Sequence, residues 1–183
     1  MATQRWNIDT AHSGVQFSVR HMVISKVRGA FERWQGVIDF DEKEPSASKV
    51  SVRIDATSID TREPKRDEHL RSADFFDVEK YPEITFDSRR VEALEQGRYR
   101  VTGDLTIRGT TREVELDAEY LGGGTDPWGN RRIGFQARTS LRRKEFGLSW
   151  NQALETGGVL VGDQIEITLD VQAVLAQALE KVA

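Results

Sequence analysis

The sequence predicts a mainly β fold: an eight-stranded antiparallel barrel carrying one short helical insert. Three observations lead there. Apolar and polar residues alternate strictly along nearly the whole chain, the mark of strands with one dry face and one wet face. Turn signals separate the runs by short links, which makes sequential strands antiparallel neighbours. About eight such runs follow in meander order, and the long, curled ones favour a closed barrel over a two-sheet sandwich because closure leaves no exposed edge. With 183 residues, 38% hydrophobic and 31% charged, the chain reads as one domain spanning 1–183.

Taken in order, the first run turns Val15, Phe17 and Val19 inward, and His21 continues that face by the same count. From Val27 to Phe40 the apolar parity changes between Val27, Gly29 and Phe31 and the later Ile38 and Phe40. A bulge or bend is therefore expected near Arg33 to Gly36. In "KVSVRIDATSI", Val50, Val52, Ile54 and Ala56 face in while Ser51, Arg53, Asp55 and Thr57 face out. The inward sets continue with Ile84 and Phe86, then Tyr99, Val101, Leu105 and Ile107, then Val114, Leu116, Ala118 and Tyr120. Ile133, Phe135, Ala137 and Leu141 follow, and Ile165, Ile167, Leu169 and Val171 end the series. Turns fall at "RGTT" (108–111), at "GGGTDPWGN" (122–130) and at Gly162 with Asp163, and the tail after Ala173 reads as frayed.

Between the strands ending near Ile59 and beginning near Ile84 lies the insert "RDEHLRSADFFDVEKYPEITF". Pro64 suits a first helical turn, Arg66 and Leu70 share a face, and Asp67 with Arg71 has the i, i+4 spacing of an ion pair worth about 0.2–0.5 kcal/mol. Ser72 is placed to cap a second turn leading to Phe75 and Phe76, and Tyr81-Pro82 stops any helix. A short helix over 64–73 followed by two aromatics has the character of a lid.

Composition excludes several function classes. The net charge is −4 with both signs mixed, so no basic field invites nucleic acid. The absence of cysteine removes disulfides, thiolate metal sites and cysteine nucleophiles. The start has no apolar h-region and no uncharged run approaches the ~20 residues of a membrane span; a soluble, cytoplasmic protein is expected. His12, His21 and His69 lack metal-ligand spacing, and Ser13 and Ser72 lie in no nucleophile elbow, so no metal and no catalytic residue is assigned. Glu113, Glu115, Asp117 and Glu119 fall on outward positions. Gly122 to Gly124 precede a turn rather than a helix, unlike a phosphate loop. Arg142, Arg143 and Lys144 read as a solvated corner, with attraction of an anionic head group as the alternative. For His21, satisfaction by a neighbouring carbonyl and contact with a ligand both remain open.

Four stretches, "HSGVQFSVRHMVISKVRGAF", "RDEHLRSADFFDVEKYPEITFDS", "VTGDLTIRGTTREVEL" and "RKEFGLSWN", resemble in order the YceI-like polyisoprenoid-binding proteins. The resemblance implies a lipocalin-like, extended barrel whose elongated interior holds a polyisoprenoid or similar long-chain lipid. Carried over by motif, it places His21, Arg66, Asp67, His69 and Trp150 at the mouth. Glu145 stands where the family's corner turn more usually has aspartate.

The function expected is noncatalytic: a carrier or sequestering protein for an isoprenoid chain, with a quinone or its precursor among the candidates. Phe17, Val19, Phe31, Val52, Ile54, Phe86, Leu105, Phe135 and Ile167 would line the tunnel, and Leu70, Phe75 and Phe76 would close it. No cofactor is expected beyond the bound lipid. Transient membrane contact and a homodimer are compatible with this reading. Its rivals are an enzyme acting on an isoprenoid or quinone, with His21 or His69 as acid or base beside Asp67, and an interaction module with a solid core.

Overall fold

In the computed structural model the described residues are 3–22, 24–152, 154 and 160–176. Strands β1 (Gln4–Ile8), β2 (Gly14–His21), β3 (Ser25–Phe31), β4 (Trp34–Phe40), β5 (Lys49–Asp55) and β6 (Ile59–Asp60) precede α1 (Pro64–Arg71), the one α-helix among the described residues. Strands β7 (Glu83–Ala93), β8 (Arg98–Ile107), β9 (Thr110–Thr125), β10 (Arg131–Arg142) and β11 (Val161–Leu175) follow. All pairings are antiparallel.

The predicted eight staves are present, but three of them are broken. β1 and β2 are two segments of one stave, separated by a 3-10 turn at Thr10–His12. β3 and β4 are likewise divided at Glu32 and Arg33, where the parity change placed the bend, and a 3-10 turn at Ala56–Ser58 divides β5 from β6. The closed ring runs β1-β4-β5-β7-β8-β9-β10-β11 and returns to β1. β2, β3 and β6 prolong the wall at one end, since β11 pairs with β2 through its first half and β1 through its last residues.

The breaks leave a gap. β6 has only two residues, pairs with Ala30 and Phe31 of β3, and has no register with β7, whose pairing to β5 begins at Glu83. A seam therefore separates β3 from β7 at this end, and the chain from Thr61 to Pro82, α1 included, crosses it. Of the tail expected to fray after Ala173, β11 continues to Leu175, which sits opposite Trp6, and the Ala176 amide donates to the Arg5 carbonyl at 2.8 Å; residues 177–183 lie outside the described residues. The partner strand β1, too short to show in the alternation, is what orders the end of β11.

The other end is closed by rings. Phe40 lies between Tyr99, Tyr120 and Phe135 at centroid distances of 6.0, 5.5 and 5.3 Å, favourable for edge and tilted aromatic contacts. Burial raises both phenol pKa values, with the nearby Glu42 charge adding to the effect. Outside this floor, Arg132 joins the β9–β10 turn to the β1–β2 break, with Nε 2.7 Å from Asp126 and Nη1 2.8 Å from Asp9. The Asp126 carboxylate also accepts from the amides of Trp128 and Asn130.

Two predictions follow from these constraints. Arg132 first, then the turn amides, hold the Asp126 carboxyl down to about 2, so its contribution to stability is complete above about pH 4 and is lost as pH falls through its folded value. Acid titration should show this loss between roughly pH 4 and 2, and Asp126→Asn should flatten the curve there. Gly103 occupies an inward position of β8 where a Cβ would lie 2.6 Å from the Asp87 carbonyl oxygen and 2.6 Å from Phe86 Cζ. Gly103→Ala should cost about 1–3 kcal/mol in chemical denaturation, because the backbone oxygen cannot yield as a side chain could.

Candidate ligand cavity and its lid

The inward sets do not fill the barrel. A cavity of about 250 Å³ runs along the interior, reached by Ile8, Phe40 and Tyr99 near the floor and by Phe146, Leu148 and Val161 near the seam. Phe17, Val19, Phe31, Val52, Ile54, Phe86, Leu105, Phe135 and Ile167 all reach its wall, joined from the insert by Leu70, Phe75 and Phe76. His21, Arg66, Asp67, His69 and Trp150 do not. His21 keeps the inward count but lies opposite Val161 at the last pairing of β2, a half-buried rim position.

The charged cluster of the insert has a different use from the ion pair read in its spacing. Asp67 and Arg71 are not paired with each other. Asp67, 6% exposed, accepts from the Thr61 amide at 2.9 Å and from the Thr61 hydroxyl. Arg66 donates to the Thr61 hydroxyl and carbonyl at 2.8 and 2.7 Å. Arg71 donates to the carbonyls of Thr57 and Ile59 at 2.9 and 3.2 Å. Three charged side chains thus fasten α1 to the β5–β6 edge, whose backbone groups have lost a neighbouring strand. Glu63 caps the helix by accepting from the Arg66 amide, and Ser72 receives the Asp74 amide as the next turn begins.

Above the cavity, Phe76 stands edge-on to Phe31 at 5.8 Å, and Phe31 is 5.7 Å from Phe17, so the lid's inner ring continues into the wall. On the outer side the His69 ring meets Trp150 and Phe75 edge-on at 4.6 and 5.0 Å, and its Nε2 lies 2.8 Å from an Asp74 oxygen. Arg108 donates to the carbonyls of Phe75 and Gly147, joining the lid to the chain after β10.

Sequence reasoning missed the role of Arg143. Arg142 and Lys144 are exposed as a solvated corner should be, but Arg143 is 3% exposed. Its guanidinium donates to the carbonyls of Leu148, Trp150, Val161 and Gly162 at 2.7 to 3.3 Å. Burial lowers its pKa, with the Asp163 charge opposing. The signal was present: counting by twos from Ile133 through Leu141 lands on Arg143, so its stem must turn inward. Thr61 and Arg108, by contrast, carried no periodic signal: Thr61 lies just past β6 and meets the side chains of the helix that follows it, while the partners of Arg108, Phe75 and Gly147, come from distant parts of the chain. Among the described residues no cluster of His, Asp or Glu is placed to hold a metal ion.

A model of the YceI-like domain matches residues 6–173, from β1 into β11. The chain belongs to the YceI-like family. A UPF0312 protein of Pectobacterium atrosepticum is 42% identical over 148 residues, 81% of this chain and 77% of its own. The crystal structure of BcnA from Burkholderia cenocepacia superposes with a TM-score of 0.80 at 24% identity, covering 90% of this chain and 98% of that one. A domain from Saccharophagus degradans described as polyisoprenoid-binding and implicated in plant cell wall breakdown gives 0.69 at 14% identity, covering 93% and 98%. In this YceI-like chain the most charged segment is the fastening of the lid.

That assignment makes the fastening testable. Asp67→Ala leaves the Thr61 amide and hydroxyl without their acceptor and should lower stability by about 1–3 kcal/mol. Hydrogen exchange should report the loss first as faster exchange over residues 61–78, with the amides of β8 and β9 still protected; uniform loss of protection would show that Asp67 supports the whole barrel instead.

Proposed function

We propose that this protein binds a long apolar chain, a polyisoprenoid or similar lipid, inside its barrel and carries or sequesters it without chemical change. The observation that carries the reading is the continuous apolar wall from the aromatic floor to Phe75 and Phe76. Burial of each CH2 contributes about 0.8 kcal/mol, so a chain gains affinity from length and needs few polar contacts. The description of the Saccharophagus degradans domain as polyisoprenoid-binding supports the same chemistry, and a quinone or its precursor fits a chain with a compact polar end.

The volume bears on mechanism. A cavity of about 250 Å³ exceeds the ~150 Å³ that holds a benzene ring but lies below the ~300 Å³ where pockets for drug-sized molecules begin. In this closed form a short chain segment fits; a longer chain requires side chains of the wall or lid to move aside. The seam is the place for that movement, because there the wall is made of side-chain contacts rather than a strand ladder.

The enzymatic alternative is less well supported. His69 is engaged with Asp74 and two aromatic rings, while Asp67 is engaged with Thr61. The acid–base pair that alternative requires is divided between separate partners, and neither residue reaches the cavity.

Mass spectrometry of organic extracts from natively purified protein tests the proposal, with recovery of an unaltered chain lipid as the expected result. Leu105→Trp should occupy the cavity and reduce lipid recovery by about tenfold or more while costing no more than about 1–3 kcal/mol. A wild-type barrel that neither yields nor takes up lipid, together with a Leu105→Trp variant that unfolds, would mean a solid core.

A further inference from the structure

The tip of the β2–β3 hairpin exposes Ile24 by 85% and Met22 by 44%. Single apolar residues on a surface need no explanation, but two properties distinguish these. The first is charge. Arg20, Lys26 and Arg28 flank them and are exposed, and no acidic residue occurs from Arg20 to Arg28 although the whole chain carries −4. Lys26 lies 3.7 Å from Glu166; among the described residues Arg20 and Arg28 are in no ion pair.

The second is place. The hairpin stands at the lid end, where His21 pairs with Val161 of the cavity wall and the Met22 amide donates to the Leu160 carbonyl. β6 covers only Ala30 and Phe31 of β3, so Ser25 to Gly29 project past it by roughly 15 Å at strand rise. Gly29 at the root of this projection is so close to the lid anchor that a Cβ would lie 2.9 Å from Thr61 Cγ2. Leu94, Leu121 and Trp128, the other exposed large aliphatic or indole side chains of the barrel strands and turns, stand toward the floor, and no cationic ring of this kind surrounds them.

We propose that the β2–β3 hairpin is a membrane-docking tip. Met22 and Ile24 enter the boundary of an anionic bilayer while Arg20, Lys26 and Arg28 meet its head groups. An apolar tip ringed by cations is what such a surface selects, through burial of apolar area and attraction to anionic lipid. Docking there sets the lid against the source or destination of the chain, a role that rests on the carrier reading above.

Flotation with vesicles of phosphatidylcholine, with and without phosphatidylglycerol, tests the docking. Binding is expected only with phosphatidylglycerol and should weaken as salt is raised. Ile24→Glu should reduce it by about tenfold or more, and Arg20→Gln or Arg28→Gln by about fivefold each. Uptake of a fluorescent prenyl probe presented without vesicles is measured in parallel and should be unchanged in Ile24→Glu, whereas transfer from loaded protein to vesicles should slow. Uptake intact with vesicle binding absent, indifferent to lipid charge or unaltered by Ile24→Glu overturns the docking alone. An Ile24→Glu variant that abolishes self-association in sedimentation while leaving vesicle binding unchanged also overturns it, by assigning the tip to a second copy. A wild type that takes up no probe overturns the carrier reading and with it the delivery role, even where vesicle binding persists.

Discussion

The pairing of β11 with two successive strand segments is the constraint on which the rest of the structure depends. Its first half runs beside β2 and its last residues beside β1, so the same strand closes the ring and carries the extension beyond it. Because the first stave breaks between those segments, its neighbours break as well, and the wall at that end turns away from the ring. A strand ladder cannot follow such a turn all the way round. The seam between β3 and β7 is the consequence, and there side-chain contacts take the place of a strand ladder in the cavity wall.

How the seam is closed explains the unusual composition of the insert. A buried ion pair must overcome the desolvation of both charges, whereas an arginine or aspartate bonded to backbone groups satisfies polar atoms that would otherwise be orphaned. Arg66, Asp67 and Arg71 do this for the β5–β6 edge, Arg108 does it between the lid and the chain after β10, and Arg143 gathers four carbonyls beside the cavity. The apolar half of the closure, Leu70, Phe75 and Phe76, faces in. The lid is thus held by contacts that can be released one group at a time, while the floor is held by packed rings.

This asymmetry assigns different dynamics to the two ends. Opening the floor would separate Phe40 from three aromatic partners and disturb strands on both sides. Opening the seam displaces one short helix and its following turn, the kind of segment that opens locally at a fraction of the global stability. Under the carrier reading proposed above, entry and exit of a buried chain belong to the seam. The proposed docking tip lies at the same end, so binding to a bilayer and opening toward it would share one direction.

The alternation of side chains by itself determined the barrel and its wall, because a period of two fixes which face of each strand is dry whatever its neighbours are. Phe17, Val52, Leu105 and Phe135 were legible for that reason, as was the bend in the β3–β4 stave from its change of parity, and Arg143 was legible in principle by the same count. Only the tertiary structure decided the partners of the charged residues. Asp67 and Arg71 sit at ion-pair spacing, yet each binds the β5–β6 edge, since a hydrogen bond depends on where a donor and acceptor meet in space and not on their separation along the chain. The position of His21 and Trp150 outside the cavity, and the ordering of β11 by β1, were likewise settled by which distant segments came to lie beside them.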